Sequence, residues 1–343
     1  MAAAADVRGL VERALFAFLE GRRRALPDAE DLLTELERVA RSGGKRLRPA
    51  FCVWGYRAGG GSDDDSIARA AASLELLHTF AIIHDDVMDR SPLRRGTPAT
   101  YRQLADETGR LRRGADRFGV SAAILAGDLA MALAGELWWT AGFDGAALMD
   151  AATIFHAMRA EVIGGQYLDL LAAARGDATP EETRRISVLK SGRYTVERPL
   201  LIGAALAAAP PDVRDALASF GAPLGEAFQL RDDIIGAFGD PAETGKDADG
   251  DLREGKQTLL VALAKKAATP EQRAVLDELL GADDLTADGA ARLRAVLRDT
   301  GALDEVRETI DSLLSEARAA LDGGAIPPAP AAALHALADD VGA

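Results

Sequence analysis

Two sets of adjacent aspartates are the residues here whose types and spacing can do chemistry. Asp85-Asp86-Val87-Met88-Asp89 follows the apolar stretch Phe80-Ala81-Ile82-Ile83. On a helix, residues four apart lie about 40° apart around the axis, so Asp85 and Asp89 share a face with Asp86 flanking. Like charges at that spacing repel, and three carboxylates in an apolar setting call for a counter-charge. Mg²⁺ supplies one, characteristically bridging one or two carboxylates to ligand phosphates. A single such motif is more often an exposed acidic turn. Asp63-Asp64-Asp65, preceded by Gly61-Ser62, reads that way, as a solvated helix start favoured by the dipole. The second set shifts the balance. Phe228-Gln229-Leu230-Arg231-Asp232-Asp233-Ile234-Ile235 again embeds an Asp pair in an apolar helical stretch. Two such pairs on separate helices predict facing carboxylate walls with metal between them, the way a helical bundle builds a metal site.

Acidic walls alone would take only cations. The chain also places Lys and Arg at breaker positions: Gly43-Gly44-Lys45-Arg46-Leu47-Arg48-Pro49, Arg94-Arg95-Gly96, Lys190, Gly245-Lys246 and Gly255-Lys256. Glycine lets backbone approach an anion, and the arginine fork suits phosphate oxygens. His78 lies seven residues before Asp85, about 20° from it on an ideal wheel, where it can donate to an anion. Arg22-Arg23-Arg24 has no such company and reads as surface. His156 and His335 have no partners that point to ligation, and no zinc spacing is present. The set calls for a phosphate-rich ligand held by Mg²⁺ and by loop cations. The glycine pieces do not spell GxxxxGK[ST], which argues against a P-loop nucleotide site.

Helices must position these groups. In 343 residues, 48% hydrophobic and 27% charged, Ala, Leu, Glu and Arg dominate and β-branched residues form no alternating runs. Breakers fall at helix-length intervals. Helices are expected over about 6–24, from Pro27, from near Arg48, over 64–89 with Ser62 or Asp63 as cap, over 120–142 and 145–173, from Thr179, and from Pro211 to about 238. Residues 91–98 and 108–119 read as loops, 239–256 as breaker-rich, and four weaker helices follow. No composition shift marks a boundary, so 1–343 reads as a single all-α domain. The single thiol, Cys52, forms no internal disulfide and fits a reducing cytoplasm. The N-terminus lacks a signal-peptide pattern, and the longest nearly uncharged apolar run, Leu200–Ala209, is too short for a membrane span. A net charge of −14 excludes a nucleic-acid coat or an anionic-membrane binder.

Over about 40–265 the chain resembles the trans-isoprenyl diphosphate synthases, or polyprenyl synthetases. The resemblance rests on GGKRLRP (43–49), LLHTFAIIHDDVMDRSPLRRGTP (76–98), AILAGD (123–128), GGQYLDL (164–170), LKSGRYTVERPL (189–200), FQLRDDIIGAFGD (228–240) and GKDADGDLREGKQTLL (245–260), in the family's order. It implies an all-α, single-domain helical bundle around a central cavity, commonly a homodimer. Asp85, Asp86 and Asp89 match the first aspartate-rich motif, and Asp232 and Asp233 the second. Both chelate the Mg²⁺, three ions with substrate bound, that grips an allylic diphosphate. Lys45, Arg48, His78 and Arg95 match the isopentenyl diphosphate pocket. Arg94, Lys190 and Lys256 match contacts to the allylic diphosphate, with Ser191 beside them and Lys246 assisting. Gln166, Asp169 and Gln229 match polar residues near the metal site and reaction centre. The implied reaction is ionisation of dimethylallyl, geranyl or farnesyl diphosphate, attack by the isopentenyl double bond, and proton loss to the departing diphosphate. Asp85, Asp86, Lys190, Gln229 and Asp232 carry the catalytic role.

Two positions depart from that pattern. Gly236 stands where the second motif often has a third Asp, and Asp240 can compensate only if the helix continues. Ser191-Gly192 replaces the usual Thr-Ala, keeping a hydroxyl but loosening the helix. Product length in such enzymes depends on bulk below the first motif. Phe80 precedes Asp85 by five residues, about 7.5 Å along a helix, with Ala81 small beside it and Leu77 one turn earlier. This resembles short-chain synthases of the geranylgeranyl type and implies mainly a C20 product, with C15 or C25 as alternatives. A class I terpene cyclase would lack the isopentenyl pocket residues. A non-catalytic partner subunit would have lost motif residues that are kept here.

Overall fold

The computed structural model describes residues 2–107, 114–239 and 249–342. Lys246, Asp240 and positions 108–113 of the basic segment lie outside them. In chain order the helices are α1 (Ala2–Ala25), α2 (Glu30–Arg41), α3 (Leu47–Ala58), α4 (Asp65–Met88), α5 (Thr100–Glu107), α6 (Ala115–Trp139), α7 (Gly145–Arg175), α8 (Pro180–Ser187), α9 (Arg198–Leu206) and α10 (Pro211–Phe238). A π-helical stretch, Val188–Glu197, joins α8 to α9. After α10 come Gly250–Arg253, Leu259–Ala267, Pro270–Leu279, Ala287–Asp299, Ala302–Leu321 and Pro328–Gly342. The chain is all-α, as its composition predicts, and more helical at the C-terminus than four weak helices. Its contacts divide into two compact units, Met1–Asp150 with Gly203–Ala209, and Ala151–Ile202 with Pro210–Ala343.

The first unit is built around α4. Asp64 caps it by accepting from the Ile67 N–H at 3.0 Å, while Asp63 pairs with Arg57; the cap is thus one residue after Asp63 and two after Ser62. Ile67, Ala70, Ala71, Leu74, Leu76, Leu77 and Ile83 are fully or almost fully buried, and α1, α2, α3, α5 and α6 pack against the helix. By length and hydropathy α4 and α6 could each cross a membrane, so the apolar run at Leu200–Ala209 is not the longest apolar helix. In α4 the apolar window is 72% buried within the fold, which accounts for its composition. Three local expectations need correction. Residues 91–98 contain a two-stranded antiparallel ribbon, Leu93–Arg94 against Thr97–Pro98. Residues 115–119 of the basic segment are the first turn of α6, not loop. Of the arginines of 22–24, Arg24 is exposed and bonds Glu20 within its own helix, as a surface charge does, whereas Arg22 reaches Glu136 of α6 at 2.8 Å and Arg23 reaches Glu37 of α2 at 2.7 Å.

The second unit centres on α10, against which the π-helical stretch and the helix Ala302–Leu321 pack. Thr179 and Glu182 form a reciprocal capping box at α8. Glycine at 192 lies within the stretch where the α-helix gives way to π-helical turns. It lets the π-helical backbone touch α10, where a Cβ added to Gly225 would lie 2.7 Å from the Gly192 carbonyl carbon. Arg231, beside the second Asp pair, donates to the carbonyls of Asp340 and Val341 and so ties α10 to the last helix.

Candidate active site

In the first unit the acidic and basic motifs come together. Asp86 is 2% exposed on α4. Arg94, at the end of the first ribbon strand, donates to it through Nε at 2.8 Å and Nη2 at 2.5 Å, and reaches Asp85 at 3.3 Å. Burial works against the Arg94 charge, but Asp86, then Asp85 and Asp89, hold its pKa above the usual range. Asp89 ends the helix, its N–H bonded to the Asp85 carbonyl at 2.8 Å. The counter-charge that three carboxylates demand is therefore supplied by an arginine in this state. Among the described residues no three His, Cys, Asp or Glu groups are gathered at metal-binding spacing.

Beyond Arg94 the charge is positive. Burial, and then Arg48, Arg95, Arg94 and Arg46, hold the partly buried His78 well below its ordinary 6.5. Its imidazole is thus a neutral donor amid arginines. Arg95 donates to the Gly43 carbonyl, and a Cβ on Gly44 would sit 2.9 Å from its guanidinium. Gly43 and Gly44 adopt φ of +101° and +122°, so both glycines of GGKRLRP serve the seating of Arg95. Burial and the neighbouring Arg46, Arg94 and Arg48 lower the Arg95 pKa, against the pull of Glu75. Lys45 is exposed and Arg48 partly buried.

One residue of this motif was passed over by sequence reasoning. Arg46 is 5% exposed, pairs with the equally buried Glu75, bonds the Ala40 carbonyl and reaches Glu12 at 3.2 Å. It ties α1, α2 and α4 together. Removing one partner of such a buried pair costs about 3–5 kcal/mol. Nothing in the sequence separates it from Lys45 and Arg48, since only burial distinguishes a structural cation from a ligand-facing one.

Below the aspartates, Leu77 is fully buried and Phe80 7% exposed. The Phe80 ring meets His84 edge-on, centroids 4.9 Å apart. His84 in turn sits on α6, where a Cβ at Gly127 would come within 3.1 Å of its Cε1, and its Nε2 lies 2.9 Å from the Ile124 carbonyl oxygen.

The second unit carries the remaining residues. Lys190, on the π-helical stretch, donates to Asp169 of α7 at 2.6 Å. A Cβ at Gly165 would lie 2.7 Å from the Lys190 Cα, so the small residue sets that approach. Gln166 is partly buried on the same helix as Asp169, and Ser191 is partly buried next to Lys190. On α10, Gln229 donates to Asp233 at 2.7 Å. Asp233 is 9% exposed and Asp232 more open. Burial, opposed by the Gln229 bond, and repulsion from Asp232 and Asp251 push the Asp233 carboxyl up to about 7. The carboxyl is raised chiefly because it is buried, and oxygen donors of this kind suit a hard divalent cation. Lys256 is held by Asp251 at 2.7 Å and Glu254 at 3.0 Å. The helix ends at Phe238 with Gly239 extended, so the condition for compensation by Asp240 is not met.

All-α architecture, two aspartate pairs in helices and a basic cluster anchored to the first define the class. The polyprenyl synthetase family model matches residues 30–297. The chain belongs to that family and is a prenyltransferase. It is 35% identical to the geranylfarnesyl diphosphate synthase of Aeropyrum pernix, over 78% of this chain and 79% of that one. It is 34% identical to the geranylgeranyl diphosphate synthase of Saccharolobus solfataricus, over 75% and 73%. Among solved structures it is similar to a geranylgeranyl pyrophosphate synthase from Corynebacterium glutamicum complexed with isoprenyl diphosphate and magnesium. That match has a TM-score of 0.94, 36% identity and 98% coverage of each chain.

Proposed function

We propose that this chain condenses isopentenyl diphosphate with dimethylallyl, geranyl or farnesyl diphosphate and makes chiefly geranylgeranyl diphosphate, acting as one synthase domain, as a homodimer in the cytoplasm. The observation that carries the reading is Arg94, which joins the Asp85-Asp86 carboxylates to the basic cluster around His78. A diphosphate with its metal ions would satisfy both halves of that arrangement: Asp85 and Asp86 would hold the metal, and the Arg94 guanidinium would be free to donate to the phosphate.

Asp85, Asp86, Asp89, Asp232 and Asp233 would hold Mg²⁺, three ions with substrate. Bound there, Mg²⁺ would neutralise the diphosphate charge that grows as the allylic C–O bond ionises. Arg94, Lys190 and Lys256, with Lys246 assisting, bind the allylic diphosphate. Each of the first three is already held by a carboxylate, so it is oriented before substrate arrives. Lys45, Arg48, His78 and Arg95 hold the isopentenyl diphosphate. The neutral imidazole donates a hydrogen bond without adding charge. Ser191, Gln166, Asp169 and Gln229 are the polar neighbours that orient these groups. Phe80, with Leu77 and Ala81, limits the chain, and apolar walls keep water from the allylic cation.

Purified protein with Mg²⁺, labelled isopentenyl diphosphate and each allylic starter, its products sized after dephosphorylation, tests this. The expected main product is C20, and Phe80→Ala shifts it to longer chains. Folded protein that elongates no starter would mark a non-catalytic partner subunit, and an unchanged F80A distribution would remove Phe80 from the argument.

A further inference from the structure

Arg94 stands on a ribbon of two-residue strands, Leu93–Arg94 against Thr97–Pro98, a pairing too short to be stable by itself. The turn between the strands has φ of +53° at Arg95 and +74° at Gly96. A non-glycine residue in that region persists only where its surroundings hold it. The hold comes from α2. Arg38, in the last turn of that helix, donates through Nη1 to the Thr97 hydroxyl at 3.3 Å and through Nη2 to the Pro98 carbonyl at 3.1 Å. The Thr97 hydroxyl in turn donates to the Arg94 carbonyl at 2.9 Å. Arg38 is itself fixed by Glu35, 3% exposed, which accepts from its Nε at 2.7 Å and its Nη2 at 2.6 Å. A fork bonded twice to one carboxylate has its plane set. Arg38, Asp86, Arg94, Thr97 and Thr100 line one small cavity, so Arg38 and the acidic end of α4 face the same space. Arg95 is tethered to the same part of the chain, since it donates to the carbonyl of Gly43, two residues beyond α2.

We propose that Arg38 is a positioning residue for the allylic diphosphate: through the Thr97 hydroxyl it fixes the ribbon so that the Arg94 guanidinium is in place before substrate arrives. The inference rests on the prenyl-synthase reading, in which Arg94 binds that diphosphate. A binding arginine contributes most when its orientation is settled in advance, because less freedom is then lost on binding. The side-chain bonds of Arg94 to Asp85 and Asp86 cannot serve throughout, since metal would take those carboxylates. What holds Arg94 at that stage is its backbone, which Arg38 grips through Thr97. Glu35 enters the same relay, as the buried carboxylate that keeps Arg38 turned toward the ribbon. Arg38 thus acts through Thr97 and Arg94 and not on the substrate itself.

Calorimetric titration of an unreactive allylic thiodiphosphate into the full-length protein with Mg²⁺ tests the proposal without turnover. Two variants break the relay at different points. Thr97→Val removes the hydroxyl at an exposed position and leaves Arg38 with Glu35. Arg38→Lys keeps a charge for the buried Glu35 but loses the fork. Each is expected to weaken analogue binding about fivefold or more, the worth of one hydrogen bond. In an Arg94→Lys background the same two changes should add little, because the group they orient is gone, whereas a general loss of structure would add in full. Wild-type affinity in either variant overturns the proposal, and so does a loss that adds in full to that of R94K. If the wild-type protein shows no Mg²⁺-dependent analogue binding, the prenyl-synthase reading itself fails, an outcome distinct from either of these.

Discussion

His78 shows how one buried residue couples charge to function. It is partly buried in α4 with Arg48, Arg95, Arg94 and Arg46 around it, and its pKa lies well below 6.5. The folded chain keeps the ring neutral while the unfolded chain protonates it below about 6.5, so the unfolded state binds the extra proton. By linkage, stability from this group is intact above that pH and is lost progressively below it, at up to about 1.4 kcal/mol per pH unit. Denaturant midpoints measured from pH 7.5 to 5 should fall toward acid, and His78→Gln should flatten the His78 share of that slope. A diphosphate beside the ring would favour the charged form, so inorganic diphosphate should flatten the slope in the wild-type chain alone. Identical slopes in both chains, with and without diphosphate, would remove His78 from the anion site.

At the scale of elements, the cations are aimed by close backbone approaches. Lys190 rides on a π-helical stretch, a form common at functional sites. That stretch is pinned on one side by Gly165 and on the other by the Gly192–Gly225 contact. Gly225→Ala would drive a methyl into the Gly192 carbonyl, where only backbone can yield. Overpacking of this kind costs about 1–3 kcal/mol, and it should also raise KM for the allylic substrate as Lys190 shifts. Gly135→Ala is the control: it is mid-helix in α6 with nothing within 4 Å of the added Cβ, and it should gain about 0.5–1 kcal/mol in helix propensity. Thermal melts and steady-state kinetics of the two variants check the contrast. Equal behaviour would mean that the π-helical register does not depend on that glycine pair.

Over the whole molecule, what the sequence made legible follows from how local each signal is. Helices bounded by Gly43-Gly44, Gly59-Gly60-Gly61 and Pro210-Pro211 could be placed because breakers and caps act within a turn. Both aspartate pairs and the Lys190, Arg94 and Lys256 cations were visible as motifs. The partners of those cations were not, since Asp169 and Lys190 meet only through packing of separate elements. Arg46 stayed hidden for the same reason. So did the outer face of α6. Phe118, Leu125 and Trp139 fall within about 60° on one side of that helix, are 43%, 58% and 47% exposed, and have Ile124 at 43% beside them. In sequence they are simply part of an apolar helix, only 44% of whose most hydrophobic window is buried in the chain itself. A second copy of the chain is the occupant the homodimer reading requires. In a two-fold interface each of these residues is buried twice, and each buried leucine adds about 1.5–3 kcal/mol. Sedimentation of the wild-type protein should therefore give twice the 36.0-kDa chain mass. Leu125→Asp places two carboxylates in the symmetric contact and should yield monomer with unchanged helical circular dichroism. A wild-type monomer, or an L125D dimer as tight as wild type, would leave this face of α6 unexplained by self-association.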